Sequence, residues 1–206
     1  MAIHERCKKN CECGCLSNGD TTCACDAKRL AAIIQNGGIG VLETDTIYGL
    51  VGSAFYSDVV NRIYQVKLRD ITKPFIVLIS DIEQLRYFGV DVTKELIKDI
   101  RGYWPGGYSI ILPTLENEKF EYLTRGGGKI CFRMPNRNDL FELLDLCGPI
   151  VAPSANPEGK LPARTIHEAY EYFGDKVDFY CDAGYVDRAA SKVIEFVDGK
   201  PVELRS

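Results

Sequence analysis

The sequence predicts an α/β domain built on a mixed sheet, and three observations predict it. Short apolar runs that read as strands alternate with segments whose apolar residues recur at helical spacing, the pattern of a sheet carrying helices. One run, Phe75–Ile79, is apolar without a break, as a strand covered on both faces would be. The last thirty residues hold three strand-like runs, so antiparallel strands are expected beside parallel ones.

Composition bounds the rest. The chain has 206 residues, 46% hydrophobic and 26% charged, enough for one large domain or two small ones of ordinary globular make-up. No apolar run approaches the roughly 18 residues of a membrane helix. Residues 1–25 are polar and cysteine-rich and do not open as a secretory signal. A cytoplasmic protein with no membrane partner is expected. The net charge of −4 argues against wrapping nucleic acid non-specifically and leaves room for a local basic pocket.

Six of nine cysteines, Cys7, Cys11, Cys13, Cys15, Cys23 and Cys25, crowd into a segment with no helical or strand period. Residues 1–25 therefore read as a separate tail and 26–206 as the main domain. Those thiolates suit a soft metal such as zinc, although the spacing is not the usual paired Cys-x-x-Cys. Disulfides formed on oxidation, or a disordered thiol-rich tail, account for the same pattern. Cys131, Cys147 and Cys181 lie among apolar residues and read as small core side chains.

Asp26 is the expected N-cap of a first helix, with Ala27, Leu30, Ala31 and Ile34 on one face and Gly37-Gly38 as its stop. The run Ile39–Leu42 is a strand that opens into Glu43-Thr44-Asp45-Thr46-Ile47-Tyr48-Gly49-Leu50, small hydroxyls and a glycine at a sheet end. Ligands of open α/β sheets sit beyond such strand ends. Ser57 is expected to cap a second helix carrying Val60, Ile63 and Tyr64 inward. After Phe75–Ile79, helices are expected over 81–88 and 93–101, the second capped by Thr93. Tyr103-Trp104-Pro105-Gly106-Gly107 is a turn, Tyr108–Leu112 a strand and 113–128 a polar connection. Lys129–Arg133 is a strand, Asn138–Leu146 an amphipathic helix, Ile150–Ala152 a buried strand and 165–173 a helix. Strands near 177–181, 192–197 and 201–205 complete the list of elements.

The two histidines, His4 and His167, support no catalytic triad or metalloprotease motif, and no phosphate-loop consensus is present. Cations and small hydroxyls at element ends stand in their place. Lys67, Arg69 and Lys73 fall within seven residues where a helix gives way to a strand. They suit a phosphate chain, and they also complement a helix C-terminus. Arg133 ends an apolar strand, where a cation calls for an anionic partner. Ser154-Ala155-Asn156 sits between prolines after a buried strand, small donors on a rigid turn.

In series these pieces resemble the YrdC family, the threonylcarbamoyl-AMP synthases. The family's Pro-Thr-Glu-Thr-Val-Tyr-Gly-Leu is matched by residues 43–50, its Lys-x-Arg and Lys-Pro by Lys67, Arg69 and Lys73-Pro74, and its Trp-Pro-Gly by Trp104-Pro105-Gly106. Arg133-Met134-Pro135, Ser154-Ala155-Asn156 with Gly159, Asp182-Ala183-Gly184 and Ser191 follow in family order, so the resemblance spans residues 27–206. Glu43 and Asp70 stand where the family has proline, Leu78 where many members have histidine, and Lys192 where threonine is common.

The resemblance implies a twisted mixed sheet with flanking helices and a large concave basic face. It implies a nucleotidyltransferase that joins L-threonine, bicarbonate and ATP, with Mg2+ on the phosphates, into threonylcarbamoyl-AMP and pyrophosphate. The product would pass to a downstream transferase that modifies tRNA, which makes tRNA itself a candidate contact. By position, Lys67 and Arg69 become the catalytic pair. Arg69, Lys73, Lys129, Ser154, Asn156 and Arg205 become ATP ligands, and Thr46, Arg133 and Ser191 threonine ligands. Two alternatives stand beside this reading. One is a carbamoyl-adenylate-forming module, which normally sits in a much larger chain. The other is a YrdC-like RNA-binding module without synthase activity.

Overall fold

The computed structural model describes residues 26–197 and 199–205; the tail, with the metal reading of Cys7, Cys11, Cys13, Cys15, Cys23 and Cys25, lies outside the described residues. Helix α1 (Ala27–Gln35) starts where expected. The Asp26 carboxylate accepts the Lys28 amide at 3.1 Å, and Leu30, Ala31 and Ile34 form the buried stripe. Strand β1 (Gly40–Glu43) follows, and β2 (Tyr48–Ser53) returns antiparallel to it, Glu43 opposite Tyr48.

β2 is the main departure from expectation, which ended the element inside the polar motif. Its glycines hide it. A Cβ on Gly52 would come within 2.7 Å of Val59 and 2.9 Å of Ile39, so glycine is what lets helix α2 (Ser57–Lys67) lie on the strand. Ser57 is the first residue of α2 and caps nothing; Tyr56 takes the N-cap position without a side-chain bond.

The chain continues through β3 (Ile76–Leu78), a 3₁₀ run (Ile82–Phe88) in place of the expected helix, α3 (Lys94–Ile100) capped by Thr93, and β4 (Tyr108–Pro113). A short helix, α4 (Glu121–Thr124), interrupts the polar connection 113–128. Then come β5 (Lys129–Arg133), α5 (Asn138–Cys147), β6 (Ile150–Val151), α6 (Ile166–Phe173), β7 (Phe179–Tyr180), β8 (Lys192–Val197) and β9 (Lys200–Arg205).

The described strands form one sheet in the order β7-β1-β2-β6-β3-β5-β4-β8-β9. The pairs β1–β7, β3–β5 and β4–β8 are parallel and the others antiparallel, so the sheet is mixed. Alternate residues face opposite cores. Val41, Leu50, Val77 and Val151 face α2, α6 and Trp104, while Leu42, Val51, Leu78 and Ile150 face α1 and α5. Burial on both faces is why Phe75–Ile79 carries no polar residue. Cys147 is buried in the second core and Cys181 packs against it.

Candidate functional site

The turn between β1 and β2 is built by its own hydroxyls. Thr44 Oγ1 donates to the Ile47 carbonyl at 2.7 Å and accepts the Thr46 amide at 3.3 Å, and the two threonine hydroxyls lie 3.1 Å apart. This tight turn aims Asp45 and Thr46 at the end of β5. Arg133, 3% exposed, donates from Nη1 to Thr46 Oγ1 at 3.1 Å and places Nη2 3.0 Å from Asp45 Oδ1. The anionic partner that the sequence demanded for Arg133 is thus inside the protein. The pair is misaligned: Asp45 Oδ1 and Arg133 Nε are both buried without a hydrogen-bond partner. Burial depresses the Arg133 guanidinium and Asp45 opposes that shift.

One strand away, Ile110 lies opposite Phe132, which puts Ser109 at the level of Arg133. Ser109 and Ser191 share a hydroxyl–hydroxyl bond of 2.8 Å, both buried. Arg205 reaches across from β9, donating from Nη2 to the Ser191 carbonyl at 2.7 Å and to its hydroxyl at 3.2 Å. Burial pushes the Cys131 thiol up to about 12, and Arg205 and Arg133 both oppose it, so the two guanidiniums flank one point of β5. Thr46, Arg133, Ser191 and Arg205 therefore come together.

The second group forms at the end of α2. Leu68, left-handed at φ 50°, turns the chain sharply out of the helix and leaves Lys67 1% exposed beneath it. Lys67 Nζ donates to the carbonyls of Ser154 and, at 2.6 Å, Asn156. Burial lowers its ammonium to about 7, Arg69 pushes the same way and Glu158 opposes. The Ser154–Asn156 loop is also stitched to β2: the Leu50 amide donates to Pro153 O and the Ala155 amide to Tyr48 O, each at 2.8 Å. Asn156 Nδ2 closes the loop on the Lys160 carbonyl at 2.7 Å, and its Oδ1 is buried with no partner.

Glu158 binds the cation loop from below. Its carboxylate accepts the Asp70 amide at 2.7 Å and pairs with Lys73, and both contacts hold it below the usual carboxylate range. Arg69 donates from Nε to the Lys73 carbonyl at 3.3 Å. Arg69, Lys73, Ser154 and Asn156 are brought together over Lys67. The two groups share the β1–β2 hairpin: Thr46 lies in its turn, and Ser154 pairs with Gly49 just beyond it on β2.

Lys129 is not brought to either group. It starts β5, opposite Pro113 and paired with Glu195, about 13 Å along the strand from Arg133. Arg205 joins the Ser191 group rather than the Arg69 group. His167 is exposed on α6, beside Glu171. Asp45, Ser109 and Glu158 were not singled out by sequence. Asp45 lay inside the motif and Ser109 was the lone hydroxyl in an apolar strand, while nothing local marks Glu158.

Residues 181–191 cross this region without regular structure for most of their length. The Ala183 amide donates to the Tyr48 hydroxyl, which donates in turn to Gly184 O, each at 2.9 Å. Arg188 pairs at 2.6 Å with Glu43, whose other oxygen pairs with Arg137 at 2.6 Å. Glu43 thus fastens this segment to the hairpin.

Among the described residues no three His, Cys, Asp or Glu side chains cluster as a metal site. No described helix is long and apolar enough to cross a membrane.

Comparison with known proteins places this geometry. The Sua5/YciO/YrdC family model, whose description reads "Telomere recombination", matches residues 32–206. The threonylcarbamoyl-AMP synthase of Pyrococcus abyssi is 32% identical over 177 residues, covering 85% of this chain and 52% of that protein. That of Pseudomonas aeruginosa strain UCBPP-PA14 is 30% identical over 152 residues, 74% of this chain and 82% of its own. The crystal structure of P. abyssi Sua5 complexed with L-threonine superposes with a TM-score of 0.78 at 31% identity, over 87% of this chain and 53% of that one. This chain spans about half the length of the P. abyssi protein. The match runs through both groups of side chains, and the chain belongs to the Sua5/YciO/YrdC family.

Proposed function

We propose that this chain forms threonylcarbamoyl-AMP from L-threonine, bicarbonate and ATP, supplying tRNA N6-threonylcarbamoyladenosine synthesis in the cytoplasm. The observation that carries the reading is the pairing of two polar groups across one hairpin. One group suits an amino acid and the other a polyphosphate. Arg133, Thr46 and Ser191 would take the threonine carboxylate and hydroxyl, with Arg205 beside Ser191. Arg69 and Lys73 would take phosphate oxygens, and Ser154 and Asn156 would line the floor.

The threonine amine and bicarbonate give an N-carboxy species and water. An oxygen of the new carboxylate attacks the α-phosphorus of ATP, and pyrophosphate leaves. Such chemistry is served by positioning and charge neutralisation more than by a strong base. Lys67, buried and bonded to two loop carbonyls, acts by holding the Ser154–Asn156 loop, as a positioning residue. In the cation loop the Asp70 carboxylate accepts from the Thr72 amide and hydroxyl, and Glu158 beside it is already paired with Lys73. Magnesium would therefore arrive held chiefly by the phosphates, as this hard cation commonly is. The product would be handed to a transferase acting on tRNA.

The test mixes protein with all three substrates and detects threonylcarbamoyl-AMP by mass. Product and pyrophosphate that require both threonine and bicarbonate are expected. Arg69→Ala should reduce their formation on the order of 10²-fold with the fold intact. Pyrophosphate release indifferent to threonine, or salt-sensitive RNA binding with no product, would overturn the reading.

A further inference from the structure

Four side chains form a column that ends at Arg69. Arg125 sits just past α4, left-handed at φ 50°, ahead of three glycines. Its guanidinium carbon lies 4.2 Å from the centroid of the Tyr64 ring. Tyr64 stacks on Phe75 with centroids 3.9 Å apart and planes at 17°. The Arg69 guanidinium then lies over Phe75, 5.6 Å from its centroid. The two rings are 3% and 2% exposed, so each cation meets an aromatic face shielded from water. Burial raises the Tyr64 phenol, and both guanidiniums oppose that shift.

The column also fixes the backbone of the cation loop. Tyr64 donates its hydroxyl to the Lys73 carbonyl at 2.9 Å, the same oxygen that Arg69 Nε reaches at 3.3 Å. A guanidinium laid on a ring with Nε tied down keeps its two outer nitrogens pointing away from the stack. That leaves the forked edge suited to a phosphate. Arg125 touches none of the proposed ligand groups itself. Its Nη2 is held by Asn61 at 3.0 Å, and its Nε is buried without a partner.

We propose that Arg125 is a positioning residue for phosphate binding, fixing the orientation of Arg69 through the Tyr64–Phe75 stack. The functional part of this inference rests on the reading of Arg69 as a phosphate ligand; the column does not. Without the cation on its outer face, Tyr64 is free to shift, and Phe75, the Lys73 carbonyl and Arg69 shift with it.

Two measurements test it. The first is the Arg69 Nε–H resonance in ligand-free protein, assigned by its loss in Arg69→Lys. It should be narrow and slowly exchanging in the native chain and in Arg125→Lys, and broadened or lost in Arg125→Gln, which keeps a donor for Asn61. The second is kinetic. In Arg125→Gln the KM for ATP should rise about tenfold, the loss of one desolvated cation–aromatic contact, with the KM for threonine unchanged and Arg125→Lys restoring most of the difference. Arg86→Met, which removes a surface cation elsewhere, should change neither. An unaltered Arg69 signal in Arg125→Gln overturns the column. A loosened signal with unchanged KM for ATP overturns the positioning role. A loosened signal in a protein that never uses ATP keeps the column and removes the proposed function instead.

Discussion

Lys67 places an ammonium where water does not reach, and its pKa falls from 10.5 to about 7 because burial outweighs its surroundings. Folding therefore releases a proton between about pH 7 and 10.5. Below that window the native state carries the full cost of the buried charge, and within it stability rises with pH. Urea unfolding of the native chain and Lys67→Met at pH 6 and pH 9 should show the native chain gaining on the variant at the higher pH. Arg133 behaves differently because its counter-charge is buried with it. Asp45→Asn leaves a buried guanidinium uncompensated and should cost roughly 3–5 kcal/mol. Adding Arg133→Met to that variant should recover part of the loss, the sign of a coupled pair in a double-mutant cycle.

At the scale of elements, the segment 181–191 is held by side chains rather than by a ladder. Tyr48 grips its start, and Arg188 pairs with Glu43 near its end. Glu43→Ala should speed amide exchange across 182–190, read by mass spectrometry, with little change in global unfolding. Replacing Glu43 by proline should do the same, since the latch is the carboxylate. None of this latch was legible in the sequence, because Glu43 and Arg188 lie far apart in the chain and each looks like an ordinary surface charge. What was legible had a local cause: the Asp26 and Thr93 caps, the two-faced run at β3, the helical stripe of α5. Strand β2 was not, since glycines chosen for close packing against α2 erase the apolar pattern that marks a strand. The cation cluster Lys67, Arg69 and Lys73 was visible from spacing alone. Its division of labour was not: Lys67 is buried by the left-handed turn at Leu68, and Lys73 is engaged by Glu158.

At the scale of the molecule, the candidate ligand residues hang on two different parts of one sheet. Thr46 and the support of the Ser154–Asn156 loop come from the β1–β2 hairpin, while Arg133, Ser191 and Arg205 come from β5, the approach to β8 and β9. Between them stands β6, two residues long, with Val151 opposite Gly52 on one side and Val77 on the other, and Ile150 opposite Ser53 and Leu78. Through this dipeptide the sheet is continuous from β2 to β3. Backbone bonds from Ala54 to Pro149, Leu50 to Pro153 and Ala155 to Tyr48 lengthen the joint on the hairpin side, so the joint to β3, extended by the Ala152 amide on Ile76 O, is the shorter one. Pulling the hairpin away from β3 breaks a few rungs and parts Thr46 from Arg133, because the amino-acid cradle itself straddles the seam. Filling that cradle would bolt the seam shut from outside. The amides of Ile150, Val151 and Ala152 should then be the ones whose exchange slows most when threonine binds, already in the absence of ATP.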